Sequence, residues 1–177
     1  YMAINPASKL SEIKVSCQSC SLSELCLPKG LGREEMQKLE SMLDHHDRLD
    51  KDAHLYRTGD KMTGLFAVRS GSFKTFMTTH DGSEQITGFH MPGELIGLDG
   101  FSEGNYACDA VALEASTVCE LTLDQFDHLC CEVNGLRRQI LHLMGKEINQ
   151  EHMLLMALGQ MKGEERLATF LLSLSQR

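Results

Sequence analysis

Glycine-containing turns recur about every ten residues across residues 49–123 and divide this region into short β-prone segments. The turn sequences are Thr58-Gly-Asp, Arg69-Ser-Gly-Ser, His80-Asp-Gly-Ser, Met91-Pro-Gly-Glu and Ser102-Glu-Gly-Asn. This spacing is typical of an antiparallel sandwich or barrel. The clearest hairpin lies at Asp81-Gly82, between residues 73–77 and 84–89, because Asp-Gly readily adopts the positive φ angles of a tight turn. The sequence therefore predicts a rolled β domain.

Helical periodicity flanks this β region on both sides. A short amphipathic helix is predicted to begin at Gly32-Arg-Glu-Glu. After the β region, helices are predicted over 123–130, 136–161 and 163–174, with a break at Asn134-Gly135. The helix over 136–161 would be about 39 Å long at about 1.5 Å per residue. That length is unusual for a helix that only covers a barrel.

The long helix has two apolar faces. One stripe can face the chain's own β domain: Leu136, Ile140, Leu143 and Leu154. The other is a heptad seam with two charged positions: Arg137, Leu141, Met144, Ile148, Glu151, Leu155 and Leu158. Two faces imply two partners, and we expect the second partner to be the same helix of another subunit. Glu151 would then meet its own copy, and this repulsion would keep the homodimer weak unless Glu151 reaches solvent at the edge of the seam.

Three cysteines lie within ten residues near the start of the chain: Cys17, Cys20 and Cys26. This crowding of soft ligands suits a zinc ion or an iron–sulfur cluster, and either would need a fourth ligand. Spacing leaves Cys119 and Cys108, which is expected to lie within a strand, as candidates for that ligand. Cys130 and Cys131 are expected to be ordinary buried residues of a short helix.

Composition excludes several classes of protein. The formal net charge of −8 argues against a broad nucleic-acid surface. The longest near-apolar stretch, residues 153–158, is far too short to span a bilayer. Residues 1–16 lack the basic and apolar regions of a secretory signal. We therefore expect a cytoplasmic protein with no membrane partner, whose seven cysteines are metal ligands or buried thiols rather than disulfides.

Several stretches closely resemble the FNR-type branch of the CRP/FNR transcription regulators: CQSCSLSELCLP, LFAVRSGSFKTF, EQITGFHMPGELIGLDGF, ALEASTVCEL, LRRQILHLMGKEI and EERLATFLLSLS. The resemblance implies an α+β fold, in which a double-stranded β-helix (jelly roll) like that of cyclic-nucleotide-binding domains carries an N-terminal cysteine loop and a long C-terminal dimerisation helix. It also implies an oxygen-labile 4Fe-4S cluster, converted toward 2Fe-2S by oxygen. The implied ligands are Cys17, Cys20, Cys26 and Cys119.

The function implied by this resemblance is global anaerobic transcription activation, not enzymatic catalysis. The cluster would order the cysteine loop when oxygen is low and thereby favour the homodimer. Family members read DNA through a C-terminal helix-turn-helix domain, which we expect to be absent from these 177 residues. The hairpin tip His80–Ser83 resembles a contact that the family makes with RNA polymerase.

One departure from related receptors concerns the ligand of the β-roll. Cyclic-nucleotide receptors hold the ligand phosphate with a Gly-Glu pair and an Arg-Ser pair. Gly93-Glu94 is present here, but the other pair is replaced within Asn105-Tyr-Ala-Cys-Asp109. Without that arginine a buried phosphate has no charge partner, and we predict that no cyclic nucleotide binds.

Three other functions compete with this one. A structural zinc site would use the same four thiolates, and a thiol-redox sensor would use Cys17 and Cys20 alone. A cupin-type enzyme would need clustered inward histidines, which His54, His80 and His90 do not provide.

The sequence divides into four predicted regions. Residues 1–30 form a tail and the cluster-binding loop, and residues 31–123 a short helix and the β-roll sensor domain. Residues 124–162 form the dimerisation helix region, and residues 163–177 begin a linker helix toward the expected helix-turn-helix domain.

Overall fold

The computed structural model describes residues 17, 20, 26, 31–45 and 48–175. In these described residues, eight strands lie between one α-helix and three further α-helices. The strands are β1 (Asp44–His45), β2 (His54–Tyr56), β3 (Gly64–Ser70), β4 (Phe73–Thr78), β5 (Glu84–His90), β6 (Leu95–Ile96), β7 (Asp109–Ala112) and β8 (Thr117–Thr122). The helices are α1 (Arg33–Met42), α2 (Leu123–Glu132), α3 (Asn134–Gln160) and α4 (Gly163–Ser175).

The strands form two antiparallel four-stranded sheets, as the turn spacing predicted. One sheet has the order β1-β8-β3-β6 and the other the order β2-β7-β4-β5. The predicted hairpin is confirmed, because β4 pairs with β5 around Asp81-Gly82 and Gly82 has a φ of 85°. The fold is thus the predicted jelly-roll sandwich with C-terminal helices.

The core fills the space between the sheets and continues beneath the helices. Five consecutive residues of β3, from Gly64 to Val68, are buried. Because successive side chains of a strand point to opposite faces, both faces of β3 are covered. Leu39 of α1 and Leu129 of α2 belong to the same buried cluster as Leu65 and Leu121. Helices α1 and α2 therefore pack directly against the β-roll.

Local signals account for the start of two helices. Gly32 precedes α1, and its N–H donates to Glu35 Oε2 at 2.9 Å. Thr122 precedes α2, where its N–H donates to Gln125 Oε1 at 2.8 Å and its Oγ1 accepts from the Gln125 N–H at 3.4 Å. Such reciprocal bonds satisfy backbone donors that have no partner in the first turn of a helix.

Three details of the sequence prediction were wrong. The break expected at Asn134-Gly135 lies at Val133, which is buried, and α3 begins at Asn134. Cys108 precedes β7 instead of lying within a strand. Of the stripe expected to face the β domain, Leu136 and Ile140 are buried and Leu143 packs on the core, but Leu154 is 47% exposed because it lies on the part of α3 beyond the β-roll contacts.

Among the described helices, none combines the length and the apolar character needed to cross a membrane.

Candidate metal centre

Cys119 provides the β-roll side of the candidate centre. It lies on β8, opposite His45 of β1 and Ala67 of β3. The side chain is partly buried and packs against the core. Strand pairing on both sides therefore fixes the position of this thiol before any ligand binds.

Cys17 lies close enough to Cys119 for their charges to interact. Its side chain is only 9% exposed, and this burial is the largest cause that raises the pKa of the Cys17 thiol to about 11. Negative charge on Cys119 is the next cause, followed by Glu40 and Cys20. The Arg69 guanidinium opposes this increase. The structure thus brings one thiol of the N-terminal loop into electrostatic contact with β8.

Cys20 belongs to the same group of thiols. Its N–H donates to the Cys17 carbonyl at 3.3 Å. Burial raises the pKa of Cys119, and negative charge on Cys20 adds to this increase. Cys17, Cys20 and Cys119 therefore form one electrostatically coupled set, which we call the thiol triad.

Arg69 is a site residue that the sequence analysis missed. Its positive charge lowers the pKa of both Cys17 and Cys119. The position follows from strand geometry, because Ala67 lies opposite Cys119 and Arg69 is two residues further along β3, near an irregularity in the pairing with β8. Two-residue periodicity along β3 was the signal that could have identified it.

Cys26, the remaining predicted ligand, is partly buried and packs against the core. Within the described part of the chain, no three His, Cys, Asp or Glu side chains are already grouped tightly enough to hold a metal ion. The structure therefore brings three of the four predicted ligands into electrostatic range but does not assemble a coordination sphere. The four cysteines are nevertheless the right kind of ligand for the implied centre, because thiolates bind the iron of an iron–sulfur cluster as well as zinc.

The other cysteines have different surroundings. Cys108, the alternative fourth ligand, donates its Sγ–H to Asp99 Oδ2 at 3.3 Å and lies 4.0 Å from the Tyr56 hydroxyl. Burial is the main cause that raises the pKa of Cys108 to about 12, with Asp99 next. Cys130 and Cys131 lie on α2, but the expectation that both are buried was wrong, because Cys130 is only partly buried and Cys131 is exposed.

The predicted dimer seam runs along α3. Leu141 is 63% exposed, Ile148 52% and Leu155 65%, and Leu158 is also exposed. The charged positions Arg137 and Glu151 are exposed too. Met144 differs from the others, because it packs against the core of its own chain. Most of the predicted seam is thus an apolar surface that the described residues leave uncovered.

Comparisons with known proteins agree with the fold. Residues 46–132 match the family model described as a cyclic nucleotide-binding domain. The solved structure of FixK2 from Bradyrhizobium japonicum superposes with a TM-score of 0.70 at 23% identity, over 76% of this chain and 67% of that one. At this identity the likeness concerns the fold alone.

Curated relatives share more of the sequence. The transcriptional activator protein anr of Pseudomonas aeruginosa is 44% identical over 91% of this chain and 66% of its own length. The transcriptional regulatory protein btr of Bordetella pertussis is 40% identical over 95% of this chain and 69% of its own. The fumarate and nitrate reduction regulatory protein of Yersinia pestis is 39% identical over 92% of this chain and 65% of its own length. The chain thus spans about two thirds of the length of these relatives.

Proposed function

Because the chain belongs to the FNR-type branch of the CRP/FNR family of transcription regulators, not to a family of enzymes, we propose that it is the sensory and dimerisation part of an anaerobic regulator. In this proposal an oxygen-labile 4Fe-4S cluster promotes the homodimer, and hence DNA binding, when oxygen is low. The proposed ligands are Cys17, Cys20, Cys26 and Cys119. The proposed compartment is the reducing cytoplasm, where thiols persist.

The observation that carries this proposal is the thiol triad. Cys17 and Cys119 are far apart in the sequence, yet the charge of one raises the pKa of the other. A buried group of thiols is costly to ionise without a cation, and metal binding requires the thiolate form. The Arg69 guanidinium supports that form at both Cys17 and Cys119.

A short path leads from Cys26 to α3, first along the sequence and then through contacts of Leu31 and Glu35 with the start of the helix. The chain runs from Cys26 to Leu31, just before α1, in five residues. A Cβ added to Gly135, the second residue of α3, would meet Leu31 Cδ2 at 2.8 Å and Glu35 Oε2 at 3.2 Å. The start of the long helix therefore contacts the segment that follows the third cysteine.

This path explains how cysteine ligation would influence dimerisation. A 4Fe-4S cluster bound to the four thiolates would supply an oxygen-labile link between the N-terminal loop and β8. Ordering of the loop would restrict Leu31 and Glu35 and so favour one position of α3. Dimerisation through the exposed α3 seam would then place two DNA-binding domains on two half-sites. The exposed hairpin tip His80–Ser83 is the proposed contact for RNA polymerase.

Anaerobic purification tests the proposal. We expect a brown protein with about four irons and four sulfides per chain. In sizing experiments it should change from dimer toward monomer on exposure to air. Cys119→Ser should lose the iron, whereas Cys131→Ser, which alters an exposed thiol of α2, should retain it.

Two results would contradict this function. A colourless protein with stoichiometric zinc would indicate a structural zinc site. An air response that persists unchanged in Cys119→Ser would instead indicate a thiol-redox sensor that uses Cys17 and Cys20 alone.

A further inference from the structure

Asp99 makes an unusual set of contacts far from the thiol triad in the sequence. It lies in a 3₁₀ turn, Leu98–Phe101, and one carboxylate oxygen accepts three hydrogen bonds. Oδ2 accepts from the Ala107 N–H at 2.8 Å and from the Cys108 N–H at 3.2 Å. It also accepts from Cys108 Sγ at 3.3 Å. The three donors therefore converge on one point.

Two successive backbone N–H groups that point at the same place form a concavity that binds anions. Ala107 and Cys108 provide such a pair, immediately before β7. We call it the 107–108 anion nest. Ala107 is exposed and Cys108 is buried, so the nest opens to solvent on its Ala107 side. An oxyanion from solvent would find the same donors that now bond to Asp99.

The residues behind the nest hold it in place. The Tyr56 and Tyr106 rings stack with centroids 3.7 Å apart and an angle of 12° between their planes. The Tyr106 hydroxyl donates to the Gly64 carbonyl at 2.9 Å, and the Tyr56 hydroxyl lies 4.0 Å from Cys108 Sγ. The pKa of Cys108 is raised to about 12, so this thiol stays protonated at neutral pH and can donate to Asp99. The nest is thus built on packed aromatic side chains.

We propose that Asp99 is a specificity-determining residue whose carboxylate occupies the 107–108 anion nest and thereby keeps small oxyanions, including the phosphate of a cyclic nucleotide, out of this site. Two effects act together. The carboxylate uses the donors that a phosphate would need, and its negative charge repels a second anion. This role is independent of the cysteine ligands and goes beyond the proposed oxygen response.

Removal of the carboxylate should open the nest. We would label the chain with ¹⁵N and titrate inorganic phosphate while following the backbone amides by NMR. In Asp99→Ala we expect saturable shifts of the Ala107 and Cys108 amides at millimolar phosphate, and no such shifts in the wild type. Asp99→Asn is the matched control, because its amide oxygen still accepts from both N–H groups and should keep the nest filled.

Some results of this titration would overturn the proposal. One is a folded Asp99→Ala whose Ala107 and Cys108 amides do not respond to phosphate. Another is phosphate binding by Asp99→Asn as strong as that of Asp99→Ala. If Asp99→Ala does not fold, Asp99→Ser, whose hydroxyl is too short to fill the same position, provides the same comparison.

Two measurements on the wild type need no variant. Hydrogen exchange at the Ala107 amide should be at least about tenfold slower than for an unprotected amide, although the residue is exposed, because Asp99 holds the proton. Exchange at the unprotected rate would overturn the proposal, as would saturable binding of cyclic AMP at the Ala107 and Cys108 amides. Neither result would affect the iron content on which the proposed oxygen response depends.

Discussion

Burial controls the protonation of Cys17, one of the proposed ligands. Its thiol is almost fully covered, and the nearby Cys119 adds an unfavourable charge, so its pKa rises from the ordinary 9.0 to about 11. At neutral pH the metal-free protein therefore holds this site as a thiol, and a metal must displace the proton. Arg69 is the cation that offsets part of this cost.

The reactivity of Cys17 should follow this pKa. In metal-free protein, alkylation of Cys17 by iodoacetamide, measured by mass spectrometry, should increase with pH until about pH 11. In denaturant the pH at which alkylation reaches half of its maximum rate, the midpoint, should return toward 9.0, the ordinary pKa of the thiol. Arg69→Gln should move the midpoint of the folded protein upward, whereas Arg138→Gln on the exposed side of α3 should not. A midpoint near 9.0 in the folded protein would contradict the burial of Cys17.

The same pKa affects folding stability. The folded state holds the Cys17 proton more tightly than the unfolded state does. The stabilisation that this proton gives to the folded state is therefore fully present below pH 9.0 and is lost as the pH rises toward about 11. The free energy of unfolding of the metal-free protein should therefore decrease across this window. Urea denaturation of the wild type and of Cys17→Ser at several pH values would measure the difference.

Among the helices, α1 connects the cysteine loop to the other helices. Its Lys38 forms an ion pair with Glu132 at the end of α2 at 3.0 Å. Leu31 and Glu35 approach Gly135 at the start of α3. The ion pair is exposed and contributes little, so the close approach at Gly135 is the stronger constraint. A Cβ at this position would meet Leu31 Cδ2 at 2.8 Å, so the Leu31 side chain would have to shift to admit it.

Two glycines of α3 allow this constraint to be measured. Gly145→Ala places a Cβ in open space and should stabilise the chain by about 1 kcal/mol through helix propensity. Gly135→Ala should be less stable than Gly145→Ala by about 1–3 kcal/mol, because its Cβ overpacks against Leu31. Urea denaturation of the metal-free monomer would compare them. Equal free energies of unfolding for the two variants would show that Leu31 moves aside at little cost.

At the scale of the whole molecule, α3 presents an apolar surface that the described residues leave exposed to solvent. Leu141, Ile148 and Leu155 are exposed, while the opposite side of the same helix buries Leu136 and Ile140. An exposed apolar stripe of this kind is typical of an interface with another chain. Glu151 lies exposed within the seam and would approach its own copy in a two-fold pair.

Glu151→Ala should strengthen the dimer of the cluster-free protein. Removal of two facing carboxylates eliminates their repulsion, and we expect a dissociation constant about tenfold lower, which is about 1.4 kcal/mol. Sedimentation equilibrium would measure it. Glu164→Ala, which removes the same charge from an exposed position on α4, should leave the constant unchanged. A Glu151→Ala protein that dimerises no more tightly than the wild type would exclude this role for Glu151.

Local patterns in the sequence determined most of the architecture. The recurring Gly-containing turns specified the β-roll, and Asp81-Gly82 specified its clearest hairpin. The apolar periodicity predicted α1, α3 and α4 to within a few residues. These features depend on backbone preferences and on which side of an element is apolar, and both can be read from neighbouring residues.

Only the tertiary structure decided which distant side chains meet. The start of α3 at Asn134 follows from the burial of Val133, which outweighs the turn preference of Asn-Gly. The charge interaction between Cys17 and Cys119, the position of Arg69 near both, and the capture of Asp99 by the 107–108 anion nest all join residues separated along the chain. Cysteine spacing identified candidate ligands, but the packing of β3, β8 and the N-terminal cysteines determines which thiols are close, because distance and desolvation are properties of the folded chain.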